Sequence, residues 1–177
     1  DKFHKLKDIN LIKDFGEKRK IKAIVSKFLN NKKTKLQASE LFAKPALHGL
    51  ASPEHQDNYY WNVKNDNALT VWIALDKSSK SNGGIYYYNK SHKCGVVEHK
   101  KSFMKGSSQK IKNSSILKKF KKIFPKLNVG DALFHHCNVI HGSGKNYSNK
   151  NRKGWTLQYK QLYSKYDQSK RTRYLKE

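Results

Sequence analysis

The chain has 177 residues, with 38 lysines and arginines against 13 aspartates and glutamates, a formal charge of +25, 36% hydrophobic residues and 2 cysteines. That length is one domain in expectation, long enough to bury a single core. Cys94 and Cys137 are too few and too isolated for a disulfide framework, and no apolar run has the length of a membrane span or the layout of a signal peptide, so a cytoplasmic protein is expected.

In chain order, Ile9, Ile12, Phe15, Ile21, Ile24, Val25, Phe28 and Leu29 recur at three- and four-residue spacing and predict amphipathic helix, interrupted near Gly16. From residue 36 the pattern changes to short strands, predicted over 36–44, 68–75, 85–88, 129–135 and 154–163, with turn chemistry at Asn82-Gly83 and over 128–131. The polar stretch 102–113 reads as a mobile loop, either covering a site or serving as an exposed connector. Over 114–124, Ile116, Leu117, Phe120, Ile123 and Phe124 predict one helical face, capped by Ser114 or Ser115 and stopped by Pro125. Many short strands with added helices describe an all-β core, a sandwich or a barrel.

The charge by itself raises nucleic acid or an anionic membrane as a partner. Its distribution argues against a specific nucleic-acid site: lysines occur in almost every segment, arginines number only 4, and no RNA-binding signature or zinc-finger spacing accompanies them. The reading is a solvated lysine-rich surface able to steer anionic ligands.

The chemistry-bearing residues are His55 and Asp57, two apart in Glu54-His55-Gln56-Asp57-Asn58, and His141 in Val139-Ile140-His141-Gly142-Ser143. If the first segment is a strand, His55 and Asp57 share one face. A second histidine from a distant strand would complete two imidazoles and one carboxylate, the facial set that holds non-haem Fe(II) with open positions. With 8 histidines in the chain, that spacing is unspecific. Arg152 adds to it, opening an alternating run in which Trp155, Leu157 and Tyr159 oppose Thr156, Gln158 and Lys160. A guanidinium there can clamp the far carboxylate of a 2-oxoglutarate cosubstrate. His135 and His136 precede His141, but adjacent strand residues point to opposite faces, so at most one faces inward, and each reads as a core or surface histidine. Structural or solvent-facing roles are expected for His4, His48, His92 and His99.

These residues sit in a longer set: Leu41-Phe42-Ala43-Lys44-Pro45-Ala46, His55-Gln56-Asp57-Asn58-Tyr59-Tyr60, Val71-Trp72-Ile73-Ala74-Leu75-Asp76, Asn82-Gly83-Gly84-Ile85, Ser91-His92-Lys93, Val129-Gly130-Asp131-Ala132-Leu133-Phe134, His141-Gly142-Ser143 and Arg152. In order and spacing, over about 36–163, the set resembles the phytanoyl-CoA dioxygenase family of Fe(II)/2-oxoglutarate-dependent oxygenases, which includes the ectoine hydroxylases. The resemblance implies a double-stranded β-helix, a cupin-like jelly-roll barrel. It implies Fe(II) on His55, Asp57 and His141, and the 2-oxoglutarate carboxylate on Arg152 and Ser143. Trp72 falls where the family places an aromatic near the cosubstrate and Lys44 where some members place a contacting lysine, although packing explains either equally well. The chain departs from the pattern at Asn89-Lys90-Ser91-His92, where Pro-Gly-Ser-His is usual, and in lacking most of the expected N-terminal region.

The expected organisation is a single oxygenase domain over 1–177, with a helical segment over 1–35, a jelly-roll core over 36–163 and a basic tail over 164–177. The expected activity is hydroxylation of a small molecule with O2, releasing succinate and CO2. The resembling halogenases replace the carboxylate with a small residue, so Asp57 favours hydroxylation. Two alternatives stand beside it: a truncated, non-catalytic metal-binding jelly roll, and a basic nucleic-acid or anionic-surface binder. Asn58, Tyr59, Tyr60, Trp61, Tyr86, Tyr87 and Tyr88 could line a pocket or form core.

Overall fold

The alternation that begins at Arg152 makes that strand two-faced, and it lies at the centre of the larger sheet. The computed structural model describes residues 2–3, 6–104 and 107–170. Five strands run in the spatial order β1 (Lys2–Phe3), β2 (Thr34–Lys44), β11 (Arg152–Gln161), β4 (Ala68–Ala74) and β9 (Ala132–His136). A second sheet runs β3 (Ser52–His55), β10 (His141–Ser143), β5 (Ile85–Tyr88) and β8 (Lys122–Ile123), and β6 (His99–Met104) pairs with β7 (Ser107–Ile111). The paired strands are antiparallel throughout. The helices are α1 (Asn10–Glu17), α2 (Arg19–Phe28) and α3 (Asp57–Trp61).

On one face of the larger sheet, Leu157 pairs with Val71 and Tyr159 with Leu69, forming a core with Val25 and Leu29 from the helical layer. Burying each such side chain contributes about 1.5–3 kcal/mol. The helical interruption falls where expected, at Lys18 between α1 and α2. Gly16 permits the close fit, because a Cβ there would meet Leu36 at 3.0 Å and the Tyr159 hydroxyl at 3.3 Å. That hydroxyl donates to the Gly16 carbonyl over 2.7 Å.

The opposite face carries Trp72 between Thr156 and Leu133, and Thr70 between Gln158 and His135. It looks toward the second sheet, with Trp72 and Ala74 packed against Ile85 and Leu127. One side of the sheet is thus apolar against helices, and the other is polar and enclosed. This two-sheet antiparallel architecture is a jelly roll.

Three local expectations are corrected. The stretch predicted as a loop over 102–113 is largely hairpin: Tyr60 Oη receives the Gln109 N–H (3.2 Å) and donates to its carbonyl (3.4 Å), tying β7 to α3. Residues 105–106 of that stretch lie outside the described residues. The helix predicted over 114–124 is a short 3-10 turn, Ser114–Lys119, capped by Asn113 rather than by a serine, after which the chain extends to pair with β5. Pairing Ile123 with Tyr87 satisfies backbone groups that so short a helix would leave open. Ile116, Leu117, Phe120 and Phe124 still pack onto Tyr86, Tyr88, Ile111 and Ile140, whereas Ile123 is exposed. The strand predicted over 129–135 begins at Ala132, because Asp131 accepts the Asn128 N–H and Gly130 holds φ +90° in the preceding turn. His4, and residues 171–177 of the expected tail, lie outside the described residues. Among the described residues, no helix is long and apolar enough to cross a membrane.

Candidate metal centre

His55 is the last residue of β3 and Asp57 the first of α3, so they do not share the face of one strand as expected. Gln56 between them is extended (φ −121°, ψ 133°), and the chain turns into the helix directly after it. Gln56 is fully buried and holds that junction: its N–H donates to His99 Nε2 (3.1 Å) and its side-chain amide to the Gly95 (2.8 Å) and Asn138 (2.6 Å) carbonyls. His141 arrives by strand pairing, directly opposite His55 across β3 and β10, with the rings 4.3 Å apart.

The three side chains converge. Asp57 Oδ1 lies 3.8 Å from His55 Nε2 and 3.6 Å from His141 Nε2, and one ligand atom from each residue falls within 4.8 Å of the others. Both Nδ1 atoms are engaged, on the Pro53 carbonyl at 2.8 Å and the Val139 carbonyl at 3.0 Å. Each Nδ1 therefore donates to a carbonyl, which fixes the ring and turns both Nε2 atoms toward Asp57 Oδ1. Burial pushes the Asp57 carboxyl up, but His141, His135 and His55 outweigh it and hold the group well below the usual carboxylate range. Burial lowers His141, against the opposing pull of Asp57, and favours the neutral imidazole that can donate to a cation. Two imidazoles and one carboxylate fit a divalent transition metal.

The other carboxylate oxygen, Oδ2, receives Thr70 Oγ1 at 2.7 Å and faces His135 Nε2 at 3.1 Å. Sequence reasoning missed this role for His135. The rule that only one of the adjacent pair faces inward holds, and strand register selects it: His135 pairs with the inward Thr70, whereas His136 stands beside His92 with ring centroids 5.3 Å apart. Only the register with β4 distinguishes the two.

A second polar group lies where β2 ends and β11 begins. Arg152 is buried and donates through Nη2 to the Gly83 carbonyl (3.1 Å), and its Nε has no hydrogen-bond partner among the described residues. Trp72 lies 5.5 Å from the guanidinium, over Gly154. Lys44 pairs directly opposite Arg152 and donates to the Leu50 carbonyl (2.7 Å) and to the Gly144 carbonyl. Burial, and then repulsion from Arg152, brings Lys44 down to about 7. Ser143, buried on β10, is two residues from His141 and adjoins Gly144. Neither Lys44 nor Arg152 forms an ion pair among the described residues. Two adjacent buried cations, with an orphaned donor on one of them, suit a carboxylate ligand.

Of the aromatics expected to line a pocket or form core, Tyr87 reaches the histidines, with its hydroxyl 3.0 Å from His135 Nδ1. Tyr86 and Tyr88 both donate to Glu54, at 3.0 and 3.1 Å. Tyr59 stacks on His99 with centroids 4.1 Å apart, and Trp61 packs against Val63, Ala68 and Cys137. Asn58 closes the turn after α3 through both Val63 backbone groups, at 2.8 and 3.1 Å.

This architecture has counterparts among known proteins. The family profile described as phytanoyl-CoA dioxygenase (PhyH) matches residues 1–154. A phytanoyl-CoA dioxygenase of Arabidopsis thaliana is 28% identical over 159 residues, covering 87% of this chain and 54% of its own length. A probable alpha-ketoglutarate-dependent hypophosphite dioxygenase of Stutzerimonas stutzeri is 30% identical over 128 residues, covering 71% of this chain and 44% of its own length. The chain therefore spans about half the length of these curated relatives. The crystal structure of EctD from S. alaskensis with 2-oxoglutarate and 5-hydroxyectoine superposes with a TM-score of 0.76 at 16% identity, covering 94% of this chain and 58% of that one. With the profile matching over most of its length, the chain belongs to the phytanoyl-CoA dioxygenase family.

Proposed function

We propose that His55, Asp57 and His141 bind Fe(II), and that the chain is the core of an Fe(II)/2-oxoglutarate-dependent dioxygenase that hydroxylates a small molecule. The observation that carries this reading is the convergence of His55 Nε2 and His141 Nε2 on Asp57 Oδ1, with both Nδ1 atoms held by carbonyls. Family membership supports it, as do the relative named as alpha-ketoglutarate-dependent and the structural neighbour crystallised with 2-oxoglutarate. When bound together, Fe(II) and 2-oxoglutarate supply the oxidising chemistry, with O2 consumed and succinate and CO2 released.

The protein's own residues bind and orient. His55, Asp57 and His141 would hold the metal through two imidazoles and one carboxylate, a ligand set that would leave coordination positions open. Arg152 receives the far carboxylate of 2-oxoglutarate through its unpartnered Nε, with Lys44 adding charge and Ser143 a hydroxyl. Trp72 flanks the guanidinium, with its ring 5.5 Å away. The Ile85 and Leu127 packing around Trp72 keeps water from the carboxylate end. The lysine-rich surface would raise the encounter rate of an anionic substrate.

The test is anaerobic addition of Fe(II) and 2-oxoglutarate to metal-free protein. A visible metal-to-ligand charge-transfer band, lost in both His141→Ala and Asp57→Ala, is expected. Its absence from folded protein would overturn the reading. A band without succinate release for any substrate would leave a metal- and cosubstrate-binding jelly roll that does not turn over. Salt-sensitive binding of unrelated polyanions that His141→Ala leaves unchanged would instead mark a basic anionic-surface binder.

A further inference from the structure

We infer that His135, oriented by Tyr87, is a positioning residue that makes Asp57 a one-oxygen metal ligand, an inference that rests on the metal site proposed above. The two Asp57 oxygens have separate environments. Oδ1 faces His55 Nε2 and His141 Nε2 at 3.8 and 3.6 Å, whereas Oδ2 faces Thr70 Oγ1 at 2.7 Å and His135 Nε2 at 3.1 Å. An ionised carboxylate has no proton to donate, so both contacts to Oδ2 are donated by the neighbours.

This assigns the imidazole. A neutral His135 ring that donates from Nε2 accepts at Nδ1, where the Tyr87 hydroxyl lies 3.0 Å away as the donor. The hydrogen bonds therefore run from Tyr87 Oη to His135 Nδ1, and from His135 Nε2 to Asp57 Oδ2. The three groups come from β5, from β9 and from the first turn of α3, so the relay joins both sheets to the strand–helix junction. His135 is buried and its ring centroid is 4.7 Å from that of His141, which prevents it from turning away without disturbing a proposed ligand.

The consequence is coordination number. A carboxylate with both oxygens free can chelate a cation and take two of its positions. With Oδ2 holding two donors, only Oδ1 remains, and a position that chelation would occupy stays open for cosubstrate and O2. Partners that orient a ligand in this way are typically worth about 10- to 100-fold in metal affinity. The sequence pattern alone offers no reason for a histidine here, since an apolar residue at position 135 would satisfy the strand alternation.

The experiment compares wild type, His135→Phe, His135→Gln and Tyr87→Phe by Mn(II) titration and by the visible absorption of the Co(II)-loaded proteins. Wild type should bind Mn(II), and His135→Phe should bind about 10- to 100-fold more weakly with a changed Co(II) spectrum. His135→Gln, whose amide can still donate toward Oδ2, should restore the spectrum and most of the affinity. Tyr87→Phe should shift the spectrum in the same direction by a smaller amount, and it carries the test if His135→Phe fails to fold. Unchanged affinity and spectrum in His135→Phe, or loss in His135→Phe that His135→Gln does not restore, would overturn the positioning role while leaving the metal site standing. A wild type that binds no Mn(II) would overturn the functional reading and this inference with it.

Discussion

Lys44 and Arg152 pair directly opposite one another across β2 and β11, at 7% and 2% exposure, and each is hydrogen-bonded to backbone carbonyls rather than to a carboxylate. Two like charges buried side by side cost stability unless an anion joins them. That arrangement lies at the position proposed for the far carboxylate of 2-oxoglutarate. Arg152→Met should weaken 2-oxoglutarate binding about 100-fold, from the loss of about 3 kcal/mol of charge-assisted hydrogen bonding. Mn(II) affinity should be retained. Calorimetric titration of each ligand separately checks both halves.

Lys44 makes the stability of the ligand-free protein depend on pH. Its folded value of about 7 lies below the ordinary 10.5, so below pH 7 it is charged in both the folded and unfolded states and the burial penalty is fully present. Between about 7 and 10.5 the unfolded chain binds a proton that the folded chain does not, and stability rises with pH across that window. The melting temperature of wild type relative to Lys44→Met should therefore climb from pH 7 to pH 10. Binding of 2-oxoglutarate at pH 8 should take up a proton in wild type and not in Lys44→Met, as read from calorimetry in buffers of different ionisation enthalpy.

Metal binding should couple to folding. At about 100 times its dissociation constant, a cation that binds only the folded state adds about 2.7 kcal/mol. Mn(II) should raise the melting temperature by several degrees, EDTA should reverse the shift, and His55→Ala should abolish it. Asp57→Ala should also abolish it, because His55 and His141 lose the carboxylate on which they converge.

Gly154 is required by its neighbour rather than by its own backbone. A Cβ there would fall 2.1 Å from the Trp72 ring, so Gly154→Ala must displace the indole. The expected cost is about 1–3 kcal/mol of stability from overpacking, measured by urea denaturation. Weaker 2-oxoglutarate binding should accompany it, because Trp72 lies against Arg152. Trp72→Leu should restore stability to Gly154→Ala without restoring that affinity.

Legibility in the sequence followed the range of the interactions. The central strands were readable because alternation is local: Leu157 and Tyr159 face the helices, and Thr156 and Gln158 face inward. His55, Asp57, His141 and Arg152 could be named because their order and spacing matched a family, although the expected strand geometry for the first pair was wrong. The hairpin of β6 and β7 was not readable, since the Tyr60 hydroxyl that ties it to α3 lies 49 residues away. The helix predicted over 114–124 gave way for a similar reason, with the pairing of Ile123 and Tyr87 outweighing a local apolar stripe.

From sequence alone came the two-faced strands, the helical layer that covers one face and the identity of the residues available for a site. These rest on periodicity and residue chemistry, which the chain carries locally. Tertiary structure decided which histidine of the His135-His136 pair meets Asp57, which oxygen of Asp57 is left for a metal and that Lys44 shares its burial with Arg152. Each of those depends on strand register, and a shift of one residue would turn His135 and Arg152 away from the site and bring their neighbours in.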